Sequence, residues 1–184
     1  MRERSKDLRV RRTLTAVRKA FDELVLANDY REISITDLTQ RAGINRKTFY
    51  LHYTSLEDLV DEIEEEVSIE ILKSIGEYAS NLDLNGCITN FYKYMETCDK
   101  VQKKLLCDDS YSFFYDSVTD RVLNSEEFSK FFSQTKYPSV VRSYTKSITS
   151  IYKDWLDGGK QVDFNVLADL ASQLMETGYS GLTK

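Results

Sequence analysis

Leu14, Val17, Phe21, Leu24 and Val25 recur three and four residues apart, which sets them on one buried helical face and predicts a first helix ending near Asn28. Asn28-Asp29-Tyr30 reads as a turn, with Tyr30 and Ile33 covering the core beside it. Leu38 and Ala42 mark a second, short helix. A long one follows, in which Leu56, Leu59, Val60, Ile63, Val67, Ile71 and Ile75 keep the same rhythm. After a polar break over 81–86, Cys87, Ile88, Phe91, Tyr92 and Met95 predict another helix, and more are expected over 99–107, 111–123 and 126–132. Pro138, the single proline, suits the first turn of a helix. Beyond it Val141, Tyr144, Ile148, Ile151 and Trp155 alternate in threes and fours, as in a bundle seam. Asp157-Gly158-Gly159 ends that helix, and Val162, Val166, Leu170 and Leu174 trace a last one stopping near Gly178. The expectation is an all-α chain of about nine helices.

Local chemistry sharpens the segment from Ser34 to Tyr53, SITDLTQRAGINRKTFYLHY. Ser34 with Asp37 three residues on is a helix start, and Gly43 is the residue type that takes a left-handed position after a helix end without strain. Ile44 plugs the turn, and Asn45 is a good N-cap for a helix opening at Arg46. Two short helices joined by a tight turn, the second with a polar and basic first turn, make a helix-turn-helix. The first-turn side chains point outward and can donate to base edges, as Arg does to guanine. Phe49 falls on the core side. Thr48, Tyr50 and His52 are placed to donate to phosphates, contacts that set register rather than sequence. Ser34, Thr36, Asn45, Arg46, Lys47, Thr48, Tyr50 and His52 are therefore the candidate DNA-binding residues.

The run Gly-Ile-Asn-Arg-Lys-Thr-Phe-Tyr-Leu-His-Tyr from Gly43, followed by Ser55-Leu56-Glu57-Asp58-Leu59, resembles the DNA-binding half of the TetR family of bacterial transcriptional regulators. The match covers roughly residues 11–60. The resemblance implies an all-helical dimer, with three N-terminal helices for DNA and a variable C-terminal bundle for ligand. It also implies that Arg46, Lys47 and Thr48 read bases and phosphates while Tyr50 and His52 contact phosphates. One departure stands out: many members carry a lysine where this chain has Leu56.

Net charge changes the picture once it is divided. Residues 1–50 hold 12 Lys+Arg against 7 Asp+Glu, and residues 51–184 hold 13 against 23, so a head of +5 precedes a body of −10. DNA affinity follows local phosphate neutralisation, so the overall −5 does not argue against it. Arg2, Arg4, Lys6, Arg9, Arg11 and Arg12 read as a basic arm outside the fold, which either orders on phosphates or a minor groove or serves as a solubilising tail. Seven acids between Glu57 and Glu66 read as a solvated helix face. Cys87, Cys98 and Cys107 form no CxxC pair and read as core fillers in a reducing compartment. His52 is the only histidine, which excludes a His-based triad or a multi-His metal site. No apolar run approaches the roughly 20 residues of a membrane span. The chain is expected in the cytoplasm, with no cofactor, no metal and no catalytic residues.

Of 22 aromatic residues, 17 follow residue 60, so any pocket should be aromatic. Phe91, Tyr92, Met95, Phe113, Phe114, Tyr144, Tyr152 and Trp155 are the candidate ligand-binding residues. The stripes of the two last helices, Val141, Tyr144, Ile148, Ile151 and Trp155 with Val166, Leu170 and Leu174, are the candidate dimer interface. The division expected is a helix-turn-helix DNA-binding domain over 1–54 and a helical ligand-binding and dimerisation domain over 55–184. The leading expectation is a dimeric repressor released from a palindromic DNA operator by a small-molecule effector. A same-fold regulator or activator controlled by a protein partner, and a helical interaction protein that does not bind DNA, are the alternatives.

Overall fold

Residues 2 to 27 contain neither Gly nor Pro and are rich in Arg, Lys, Glu, Leu and Ala, so a helix extends far beyond its buried stripe. In the computed structural model, the backbone is described over 2–180 and the side chains over 8–178. There α1 spans Arg2–Ala27. The basic arm expected over 1–12 is thus corrected: its described backbone is the start of α1. The side chains of residues 1–7 lie outside the described residues.

A 3₁₀ turn (Tyr30–Glu32) leads into α2 (Ile35–Ala42), α3 (Arg46–Phe49) and α4 (Leu56–Ser80). Then follow α5 (Leu84–Thr97), α6 (Lys100–Cys107), a 3₁₀ turn (Asp109–Tyr111) and α7 (Ser112–Leu123). The chain ends in α8 (Glu126–Ser133), α9 (Pro138–Asp157) and α10 (Phe164–Ser180). The fold is all-α, with ten α-helices and no strand among the described residues. The helix α5 starts earlier than its apolar stripe because Asp83, in the supposed polar break, caps it by accepting the Gly86 N–H at 2.8 Å.

Two compact units emerge. The first comprises 1–63 and 99–114. In it α1 packs against α2 and α6, around buried Phe21, Leu24, Val25, Leu38, Phe49, Leu105 and Phe114. The end of α1 is closed by two donors from far along the chain. Lys104 Nζ (3.2 Å) and the Tyr111 hydroxyl (3.1 Å) both donate to the Asn28 carbonyl, which places a cation at the negative end of a helix dipole. The second unit comprises 64–98 and 115–184. There α10 packs against α5 and α9, and α8 against α9. Cys87 and Cys98 are buried.

At the start of α4, Ser55 Oγ accepts the Asp58 N–H (3.2 Å) while the Asp58 carboxylate accepts the Thr54 N–H (2.7 Å), so the predicted capped start is present. The neighbouring Glu57 carboxyl is held below its ordinary pKa by its own backbone N–H and by the Ser55 hydroxyl. A depressed folded-state pKa adds stability above the unfolded value, and that stability is lost as pH falls through the folded value. Ser55→Ala is expected to cost about 1 kcal/mol through the lost cap. An NMR titration should show the Glu57 midpoint rising toward the ordinary carboxylate range; an unmoved midpoint counts against the assignment.

Candidate functional site

The helix-turn-helix is built from three local devices. Ser34 Oγ accepts the Asp37 N–H at 3.1 Å and donates to the Asp37 carboxylate at 2.5 Å, fixing the start of α2. Gly43 takes φ 64°, ψ 32°. Its N–H reaches the Gln40 carbonyl (3.2 Å) and the Ile44 N–H reaches the Thr39 carbonyl (3.0 Å), the paired bonds of a Schellman ending. Asn45 Oδ1 then accepts the Lys47 N–H at 2.8 Å and starts α3. The helix α3 is only four residues long and passes into tight turns in which the Phe49 carbonyl accepts the N–H groups of His52 (2.9 Å) and Tyr53 (3.0 Å). So short a helix has no stability of its own. Phe49, 0% exposed, anchors it beside the rings of Tyr50 (5.6 Å) and Tyr53 (5.5 Å).

The predicted DNA-reading residues divide by what their side chains already do. Ser34 and Asn45 are engaged as caps, so they position the helices. Thr36, Arg46 and Tyr50 come together: the Arg46 guanidinium lies 3.5 Å from Thr36 Oγ1 and 3.4 Å from the Tyr50 hydroxyl. These contacts are long, so the guanidinium is aligned more than it is held. All three are exposed, as is Lys47, while Thr48 and His52 are half-buried. Leu56 is buried and offers no phosphate contact at the start of α4. What the exposed surface offers a ligand is two cations, a phenol and a hydroxyl on adjoining turns, a donor-rich patch suited to anionic oxygens and base acceptors.

In the second unit, the residues expected to bind ligand disperse. Phe91 lines a cavity of about 70 Å³, and Tyr144 lines a smaller one of about 20 Å³. Tyr92, Met95, Tyr152 and Trp155 are core. Their polar atoms have internal partners: the Tyr92 hydroxyl donates to the Ile148 carbonyl (2.8 Å), the Tyr152 hydroxyl to Glu96 (2.6 Å) and Trp155 Nε1 to the Val162 carbonyl (2.9 Å). Phe113 and Phe114 belong to the first compact unit. Phe113 packs on Tyr30 with ring centroids 4.4 Å apart, and Phe114 is buried. What sequence reasoning missed is the set of hydroxyl-bearing residues that line the larger cavity: Tyr115, Thr119, Thr145 and Thr149. Tyr115 with Thr119, and Thr145 with Thr149, sit four residues apart, so paired hydroxyls on one helical face were the available signal. Cys87 also lines this cavity, its thiol pushed up to about 12 by burial and the charge of Asp83.

The two candidate dimer stripes also differ. Val141, Ile148 and Trp155 are buried and Tyr144 and Ile151 half-buried, so most of the α9 stripe packs inside the chain itself. On α10 the buried face is Leu167, Ala168, Ala171 and Met175. The predicted positions lie outside it: Val166 is 46%, Leu170 48% and Leu174 58% exposed.

Among the described residues no group of His, Cys, Asp and Glu is arranged to hold a metal, and no helix is long and apolar enough to cross a membrane.

No protein-family model matches the chain. Over 72 residues, 39% of this chain and 19% of the relative, it is 40% identical to the uncharacterized HTH-type transcriptional regulator YxbF of Bacillus subtilis (strain 168). Over 66 residues, 36% of this chain and 35% of the relative, it is 35% identical to the HTH-type dhaKLM operon transcriptional activator DhaS of Lactococcus lactis subsp. lactis (strain IL1403). The matched part thus spans 19% and 35% of the length of these relatives. A solved structure, the dihydroxyacetone kinase operon activator DhaS, aligns with a TM-score of 0.45 and 21% identity over 94% of this chain and 98% of that one. Over somewhat more than a third of its length, the chain is similar to helix-turn-helix transcriptional regulators rather than to enzymes.

Proposed function

We propose that this chain is a TetR-type DNA-binding transcriptional regulator that acts as a homodimer on a near-palindromic operator. Residues 1–54 read DNA, and residues 55–184 bind an effector and dimerise. The observation that carries this reading is the exposed Thr36, Arg46, Lys47 and Tyr50 patch on a segment whose two caps and left-handed Gly43 fix a helix-turn-helix. Arg46 and Lys47 enter the major groove, and Thr48, Tyr50 and His52 meet the backbone. As a repressor, the dimer leaves its operator when a small effector binds the DNA-incompetent state more tightly than the competent one. A second reading, an activator, is favoured by the Lactococcus relative, which is named as one.

Fluorescence anisotropy against the chain's own upstream promoter tests the DNA claim. Arg46→Ala is expected to cost about 1–3 kcal/mol in binding and to relax the preference at one base position, and Lys47→Ala to weaken all sequences alike and flatten the salt dependence. Unchanged affinity and salt slope in the double variant would sink it. A reporter gene under that promoter separates the two signs: deletion of the regulator raises expression for a repressor and lowers it for an activator.

A further inference from the structure

The larger cavity of the second unit has a chemical character that narrows its occupant. Most of the lining is apolar and comes from every helix around it, with Ile75 of α4, Phe91 of α5, Leu123 of α7, Phe128 of α8 and Ile148 of α9 among its residues. No Asp, Glu, Lys or Arg is among the residues that line it. A charged guest would lose its hydration there without gaining a counter-charge, a penalty that neutral guests escape. Tyr115, Thr119, Thr145 and Thr149 add the hydroxyls of the lining.

Two of those hydroxyl protons are already engaged: Tyr115 donates to the Lys146 carbonyl at 3.0 Å, and Thr145 to the Val141 carbonyl at 2.9 Å. The oxygens of Tyr115 and Thr145 keep acceptor capacity, and Thr119 and Thr149 bring hydroxyls that can donate or accept. Size is set as well: a cavity of about 70 Å³ admits only a compact guest.

We propose that this cavity binds a compact, neutral, largely apolar molecule bearing one hydroxyl, a phenol or a small cyclic or branched alcohol, whose O–H donates to Thr119, Thr145 or Thr149. The assignment rests on the effector reading above and names the class of effector. An amine of the same size is disfavoured because it enters protonated, and an ether or ketone because it cannot donate to the Tyr115 or Thr145 oxygens, whose own protons are engaged.

Calorimetry on the full chain, with probes matched in non-hydrogen atoms, tests this. Phenol and cyclohexanol are expected to bind at least about tenfold more tightly than toluene, and cyclohexylammonium to show no saturable binding. In the Thr119→Val/Thr145→Val/Thr149→Val variant the preference for phenol over toluene should fall to within about threefold, since same-shaped side chains keep the apolar room and remove the threonine hydroxyls. The wild-type comparison stands without the variant. Equal binding of phenol and toluene, tightest binding by cyclohexylammonium, or no saturable binding by any probe overturns the proposal. Operator binding with and without saturating phenol is read separately. Phenol that binds with the stated preference yet leaves operator affinity unchanged overturns the effector reading while the cavity assignment holds.

Discussion

Phe49→Ala is expected to destabilise the first compact unit by about 3–5 kcal/mol and to abolish operator binding, while the Arg46→Ala/Lys47→Ala double variant leaves stability within about 0.5 kcal/mol of the parent. The contrast follows from what each residue does. Phe49 is 0% exposed and is the only buried side chain of the four-residue α3. A helix of one turn gains too few hydrogen bonds to offset its own ordering, so its position depends on that ring and on the Asn45 cap. Removing the ring leaves a cavity between α3 and its neighbours in the head and releases Arg46, Lys47 and Tyr50 from a common surface. Arg46 and Lys47 themselves lie in solvent, where truncation costs DNA contacts and little else. Urea unfolding followed by circular dichroism and by tryptophan fluorescence separates the two units, because Trp155 is the single tryptophan and lies in the second. Phe49→Ala should shift the dichroism transition and leave the fluorescence transition in place. An unshifted dichroism transition together with retained operator binding would show that α3 is held by something else.

The legible parts of this molecule were those decided by neighbours in sequence. Ser34, Gly43, Asn45 and Ser55 behave as caps and turn because capping chemistry acts over two to four residues and needs no tertiary context. The length of α3 was not legible, since nothing in Tyr50-Leu51-His52 forbids helix; the Phe49 carbonyl accepting from both His52 and Tyr53 is a tertiary choice. The inward face of α10 is not legible for a different reason. Val166, Leu170 and Leu174 are large and conspicuous, whereas the face that packs inward is carried partly by Ala168 and Ala171, which allow close helix approach but add little to a hydrophobic pattern. Phe113 and Phe114 were grouped with the wrong aromatics because residues 99–114 pack with α1, a long-range pairing that periodicity does not encode. The cavity was hidden likewise, its hydroxyls being contributed by α7 and α9.

Leu170→Glu with Leu174→Glu is expected to convert the proposed dimer to monomers and to lower affinity for a two-half-site operator by about 10²–10⁴-fold, leaving affinity for an isolated half-site unchanged. Val166, Leu170 and Leu174 follow each other at i, i+4 and i+8 and form a ridge about half exposed along α10. Ridges of that spacing interdigitate with their like at a crossing angle near −50°. A two-fold axis brings a surface patch onto its own copy, so in the proposed dimer this ridge would meet itself on the partner subunit's α10. Each carboxylate would then be desolvated opposite another, and the like charges make the contact repulsive as well as costly to bury. The monomer should not suffer, because these positions are outside the internal face of Leu167, Ala168, Ala171 and Met175. Sedimentation velocity gives the oligomeric state, and melting by circular dichroism checks that the fold is intact. The loss of operator affinity follows from geometry: a dimer binds the second half-site at the high effective concentration set by its tether to the first, and a monomer binds each alone. A doubly charged variant that still sediments as a dimer would assign the interface to another surface. A variant that is monomeric yet binds the full operator at parental affinity would remove dimerisation from the DNA-reading mechanism altogether.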